Sequence, residues 1–215
     1  MKRLPRTLDE TEIRVLGALL EKEQATPDYY PMTVNGLTAA CNQKTNRDPV
    51  MQLSEATVQE TLDHLFNEDV FAWRSRAGRT TKWKQNVDRR WQLGPAGKAV
   101  LTLLMLRGPQ TVGELRARGD RLHEFENLDA VEQALQALSL GEEPLVEELP
   151  RRPGQKESRW IHRIGGAPAR EELALAAPPD PGPGAPSRLD RLEARVEELE
   201  RLVSQWSDSS TGGTA

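Results

Sequence analysis

One pattern occurs twice in this chain, and it restricts the fold more than any composition figure does. Val15-Leu16-x-x-Leu19 returns as Val100-Leu101-x-x-Leu104, and Thr33-Val34-x-x-Leu37-x-Ala39 returns as Thr111-Val112-x-x-Leu115-x-Ala117. Val58-x-x-x-Leu62-x-x-Leu65 returns as Val131-x-x-x-Leu135-x-x-Leu138, and Lys82-Trp83 is echoed by Arg159-Trp160. The order is kept, and the offsets of 85, 78, 73 and 77 change only between elements, as loop insertions would cause. Four matches in series imply one module present in two copies.

Each copy reads as three helices followed by a hairpin. In the first, Ile13, Leu16, Leu19 and Leu20 give an apolar stripe at helical spacing over about 10–22, opened by an Asp9/Glu12 capping box. A short second helix starts at Thr33. A third covers about 55–68, with Ser54 as its N-cap and Leu53/Val58 placed for a hydrophobic staple. Two β-prone runs, 70–73 and 80–83, flank the turn Arg76-Ala77-Gly78-Arg79. In the second copy the helices fall near 95–106, 112–118 and 128–139, with a Thr111/Glu114 capping box, and the strands are 145–149 and 158–164. Three helices and a two-stranded wing make a winged helix-turn-helix. The expected fold is therefore mainly α with small β-hairpins (α+β), as two tandem winged helices at 1–93 and 94–164.

The rest of the chain is different material. Residues 165–187 are dense in Pro and Gly and read as a linker. Over 188–206, Leu189, Leu192, Val196, Leu199, Val203 and Trp206 step by three and four, a heptad seam under three heptads long. Two readings stay open for it: a coiled coil pairing two copies of the chain, or an amphipathic helix folding back on its own domains. Residues 207–215 read as a disordered tail. The charge divides in the same way. Residues 1–164 carry 24 Lys+Arg and 24 Asp+Glu, and 165–215 carry 5 and 9, so the tail supplies the whole net charge of −4. A neutral body has no global attraction for nucleic acid or anionic lipid, so binding has to come from a local patch.

Enzyme signatures are missing: there is no phosphate-binding glycine loop, zinc-protease helix or nucleophile elbow. His64, His123 and His162 are scattered and read as ordinary, partly exposed histidines, and the carboxylates read as solvated helix faces. The single cysteine, Cys41, excludes an internal disulfide and a cysteine-only metal cluster. No apolar run reaches the roughly 18 residues of a membrane span, and the N-terminus lacks the apolar core of a secretory signal. The expectation is a cytoplasmic protein that is not an enzyme, with no metal, cofactor or membrane attachment.

Binding residues concentrate on the hairpins. Residues 70–91 carry Arg74, Arg76, Arg79, Lys82, Lys84, Arg89 and Arg90 against one acid, Asp88, with Trp73, Trp83 and Trp91 interleaved. The second hairpin carries Arg151, Arg152, Lys156, Arg159 and Arg163 against Glu157, with Trp160. Strand alternation turns Arg74 and Arg76, or Lys82 and Lys84, away from the tryptophans, giving a cationic ribbon that can track phosphates. The tryptophans read as core residues. The donor-rich loop 41–49 adds Lys44 and Arg47; it and the loop 26–31 are longer than their counterparts in the second copy, a plausible sign of function. The third helices point the other way. Helix 55–68 offers Glu55, Gln59, Glu60, Asp63, Asn67 and Glu68, its counterpart offers Asp129, Glu132, Gln133 and Gln136, and neither has Lys or Arg to read guanine in a major groove.

These residues also carry a resemblance. Glu12-x-Arg14-Val15-Leu16-Gly17-x-Leu19-x-Glu21-Lys22, Tyr30-Pro31-x-Thr33 and Cys41-Asn42-Gln43-Lys44-x-Asn46-Arg47-x-Pro49 are similar to the YceH-like family of bacterial proteins, and Leu106-Arg107-Gly108-Pro109-Gln110-Thr111 and Leu149-Pro150-Arg151 continue the match. The resemblance implies a tandem winged-helix fold and brings no active-site or ligand residues with it. Two functional expectations follow. The first is a nucleic-acid-binding, regulator-like protein contacting phosphates through its wings, with a homodimer formed through the C-terminal helix. The second is an adaptor whose acidic third helices dock a basic protein partner without DNA.

Overall fold

The first helix of each copy is buried on all sides, and this sets the architecture. The computed structural model describes residues 6–68, 70–77, 80–151 and 155–165. In chain order these form α1 (Glu10–Ala25), a 3-10 turn (Pro27–Tyr29), α2 (Val34–Cys41), α3 (Glu55–Asn67), β1 (Ala72–Ala77), β2 (Thr80–Gln85), a single-turn α4 (Asp88–Trp91), α5 (Pro95–Arg107), α6 (Val112–Gly119), α7 (Leu128–Ser139), β3 (Val146–Leu149) and β4 (Arg159–His162). The fold is mixed α+β. Among the described residues, six helices of eight residues or more accompany two antiparallel two-stranded sheets, β1-β2 and β3-β4.

The local signals act as their chemistry requires. Asp9 accepts from the Glu12 N–H while the Glu12 carboxylate accepts from the Asp9 N–H, and Thr111 and Glu114 repeat this exchange at α6. Ser54 and Asn127 cap α3 and α7 through the backbone of Thr57 and Ala130. The repetition reaches individual backbone bonds. Trp83 exchanges two hydrogen bonds with Met32, just before the α2 N-cap, and Trp160 exchanges two with Gln110, just before the α6 N-cap. Phe71 N–H donates to Leu65 and Leu145 N–H to Leu138. Asn86 N–H then donates to Phe71, and Arg163 N–H to Leu145.

Of the described residues, those up to Pro150 and from Ser158 onward form one compact unit, and Arg151 with residues 155–157 belongs to another. Within the first unit, α1 packs on α2, α3 and β2, while α5 packs on α6, α7 and β4, and α1 lies against α5. Residues Glu12–Glu21 of α1 and Ala99–Leu106 of α5 are buried throughout. For α5 the pattern explains this, because Val100 to Leu106 is apolar except for Thr102, which bonds Lys98 O. Gly17 lets the two helices approach: a β-carbon there would meet Leu106 at 3.0 Å and Met105 at 3.3 Å.

Helix α1 departs from a simple stripe, because its charged positions are also inside. Arg14, 2% exposed, donates to Cys41 O and Pro49 O. Glu12 bonds Arg6 and His64. Burial pushes the Glu12 carboxyl up, but bonds from Arg6, His64 and the Asp9 N–H outweigh it and hold the group at about 2. Glu12 and Glu21 are thus internal counter-ions rather than solvated carboxylates.

Candidate nucleic-acid interface

The register of the first hairpin decides which cations can act together. Trp73 pairs with Lys84 and Ser75 with Lys82, while Ala72 pairs with Gln85 and Arg74 with Trp83. Directly paired residues share a face. Lys82, Lys84 and Trp73 therefore lie on one face, and Arg74 lies on the other with the buried Ala72, Trp83 and Gln85. The ribbon expected from alternation is split, because pairing places the two basic pairs on opposite sides. Arg74 is spent locally: its guanidinium lies 4.7 Å from the centre of the Phe66 ring and 3.8 Å from Asp63. Lys82 and Lys84 have no ion-pair partner among the described residues. The sequence pattern puts Trp73 in the core, but it is 44% exposed, with an edge contact to Phe66. Trp83, Trp91 and Trp160 are buried as expected. The Arg76 side chain, Arg79 and Arg152 lie outside the described residues.

The second hairpin has the same topology with different charge. β1 and β2 read AWRSRA and TTKWKQ, four cations and no acid; β3 and β4 read VEEL and RWIH, one cation and two acids. Counting the second hairpin from Arg151 misses the two carboxylates on its own first strand. Arg159 is a correction to the phosphate-binding set. It is 8% exposed and donates to Glu114 at 2.8 Å and to Pro109 O at 3.1 Å, so its charge is consumed inside the module. Arg163 lies 3.6 Å from Glu147. Arg151 and Lys156 are exposed and belong to the second compact unit.

The loop between α2 and α3 separates its two candidate cations. Arg47 is the second correction: its side chain is fully buried, bound to Glu21 at 2.6 and 3.0 Å and to Ala40 O at 2.8 Å. Burial raises the Glu21 carboxyl, but the Arg47 bond outweighs it and holds it below the usual range. Cys41 lies beside this pair, and burial pushes its thiol up to about 12, which leaves it unreactive. Lys44 is exposed and lines a cleft of about 340 Å3 with Lys22, Arg118 and Arg121. Sequence reasoning misses the last three, and only the lengthened loop points to this region.

Residues 8–155 match the family described as "Protein of unknown function, DUF480". The chain belongs to the DUF480 family. It is 47% identical over 197 residues to the UPF0502 protein GSU0233 of Geobacter sulfurreducens, a match covering 92% of this chain and 89% of that relative. It is 50% identical over 197 residues to a UPF0502 protein of Geobacter metallireducens, covering 91% and 88%, and 48% identical over 201 residues to the UPF0502 protein azo0627 of Azoarcus sp., covering 92% and 88%. This agrees with the bacterial family that the motifs resemble.

In this DUF480 chain the third helices do present acid. Glu55, Glu60 and Glu68 are exposed on or at the end of α3, and Asp129 and Glu132 on α7. The histidines differ from expectation at one position. His64 is half exposed and bonds Glu12 and Glu68, and the Glu12 bond raises its pKa. His162 is buried on β4 with no partner for Nδ1 among the described residues, and burial holds its imidazole down at about 4. No described helix is long and apolar enough to cross a membrane. The seam residues Leu189, Leu192, Val196, Leu199 and Val203, with the linker and tail, lie outside the described residues.

Proposed function

We propose that this DUF480 protein is a tandem winged-helix, nucleic-acid-binding protein and not an enzyme, and that the exposed face of its first wing makes the backbone contact. The observation carrying this reading is the face shared by Lys82, Lys84 and Trp73. Two lysines without an ion-pair partner among the described residues sit beside an exposed indole, a combination that supplies phosphate neutralisation and a surface on which a base can stack. Two copies of the order helix, helix, helix, hairpin support the winged-helix assignment. Acidic faces on α3 and α7 weigh against base reading in a major groove, so the binding is to backbone and largely sequence-independent.

Those acidic faces favour one rival: an adaptor in which they dock a basic protein. A mobility-shift titration with mixed-sequence duplex and single-stranded DNA at low salt separates the two. The reading predicts retardation that the double variant Lys82→Ala/Lys84→Ala largely abolishes and Trp73→Ala weakens, most of all on single strands. Absence of retardation by the intact protein overturns it in favour of the adaptor.

A further inference from the structure

The lengthened loop of the first copy and the last turns of α1 face α5 and α6 across the cleft of about 340 Å3 that Lys44 lines. Among the described residues its cations are Lys22, Lys44, Arg118 and Arg121, and its single carboxylate is Glu21. Glu21 is already committed, to Arg47 at 2.6 Å and to Lys22 at 3.1 Å. Arg118 donates to Gln110 Oε1 at 2.8 Å and lies 3.4 Å from Glu114, which holds its guanidinium in place. Lys44 and Arg121 are exposed and have no ion-pair partner among the described residues. Arg107 donates to Asn46 Oδ1 at 2.6 Å, tying the loop tip to the end of α5. Burial lowers the Arg107 pKa, and Arg118 lowers it further while Asp48 and Glu114 act in the opposite direction.

Cations gathered in a recess repel one another, and an anion is the species that relieves the repulsion. Leu103 and Leu106 line the same space, so the carbon body of a ligand has an apolar wall to rest on. The volume falls in the range of small-molecule sites and is too small to admit a duplex. We propose that this cleft binds a small organophosphate, with the phosphate held by Lys44 and Arg121 and backed by Lys22 and Arg118. The site uses none of the first-wing residues and does not depend on the nucleic-acid reading.

Calorimetric titration of the full chain with inorganic pyrophosphate at low salt tests this. The expected result is saturable binding that weakens about a hundredfold in Lys44→Ala/Arg121→Ala, about tenfold for each charge-assisted hydrogen-bonding group removed. Lys44→Arg/Arg121→Lys restores most of the affinity. An unaltered thermal midpoint confirms that the variants are folded, as substitutions at two exposed positions should be. No binding at millimolar pyrophosphate, or undiminished binding in the double alanine variant, overturns the proposal. Displacement of pyrophosphate by a single-stranded oligonucleotide of equal or higher affinity overturns the small-molecule assignment and gives the cleft to nucleic acid.

Discussion

The two hairpins share a backbone plan and differ in where their charges go. Both tie their second strand through a tryptophan to the residue before a helix N-cap, and in both the residue two further on, Gln85 or His162, is buried. Yet the first hairpin leaves Lys82 and Lys84 facing outward, while the second places Glu147 and Glu148 opposite Ile161 and Trp160 and buries Arg159 against Glu114. Topology is maintained by apolar packing and backbone bonding, which tolerate changes on the outer face. Charge on that face is free to diverge, so a repeated fold does not imply a repeated function. The first hairpin presents two lysines outward, and the second has its arginine bound internally to Glu114.

The largest contrast should appear in acid. The Gln85 side chain donates to Glu23 and Asp88 and accepts from Val87 N–H, and it does not titrate. His162 has an ordinary value near 6.5 when unfolded and about 4 when folded. The unfolded chain takes up the proton first, so stability is full above about 6.5 and declines as pH falls toward 4, by about 3 kcal/mol in total. His64, with its value raised, contributes in the opposite sense, its stabilisation being lost as pH rises. Denaturant unfolding at stepped pH should show the acid loss, and His162→Leu should flatten that part of the curve. A slope identical in the two proteins would deny His162 this role.

Next in size is Arg159→Ala. It takes the nearer cation from Glu114, which also accepts from the Thr111 N–H and keeps Arg118 at 3.4 Å, and should cost about 2 kcal/mol by chemical denaturation. Arg74→Ala is the matching change on the first hairpin. Its ion pair is solvent-exposed and should cost less than about 1 kcal/mol. Equal losses at the two sites would erase the contrast drawn between the hairpins.

Much of this was legible in the sequence, and the gaps have specific causes. Capping residues and helical periodicity act locally, so α3, α6 and α7 are placed to within a residue or two by Ser54, Thr111/Glu114 and the Val131/Leu135/Leu138 spacing. Register is not local. Alternation along one strand shows that Lys82 and Lys84 share a side, but only pairing reveals that Trp73 is on it and Arg74 is not. The buried charges were hidden for a related reason. A charged residue in a helix pattern or a loop reads as solvent-facing, and Arg47, in the loop after α2, becomes a core residue only because Glu21, 26 positions earlier, is brought to meet it. The cleft draws on α1, a loop, α5 and α6, and no single window of sequence contains it.

The most direct test compares the two hairpins in one assay. Fluorescence anisotropy of a labelled mixed-sequence oligonucleotide is followed from about 50 to about 200 mM salt for the intact protein, for Lys82→Ala/Lys84→Ala and for Arg151→Ala/Lys156→Ala. The account predicts steep salt dependence in the intact protein, a slope shallower by about two in the first-hairpin variant, and little change in the second-hairpin variant. Loss of affinity confined to the second-hairpin variant, or equal slopes in all three proteins, would contradict it.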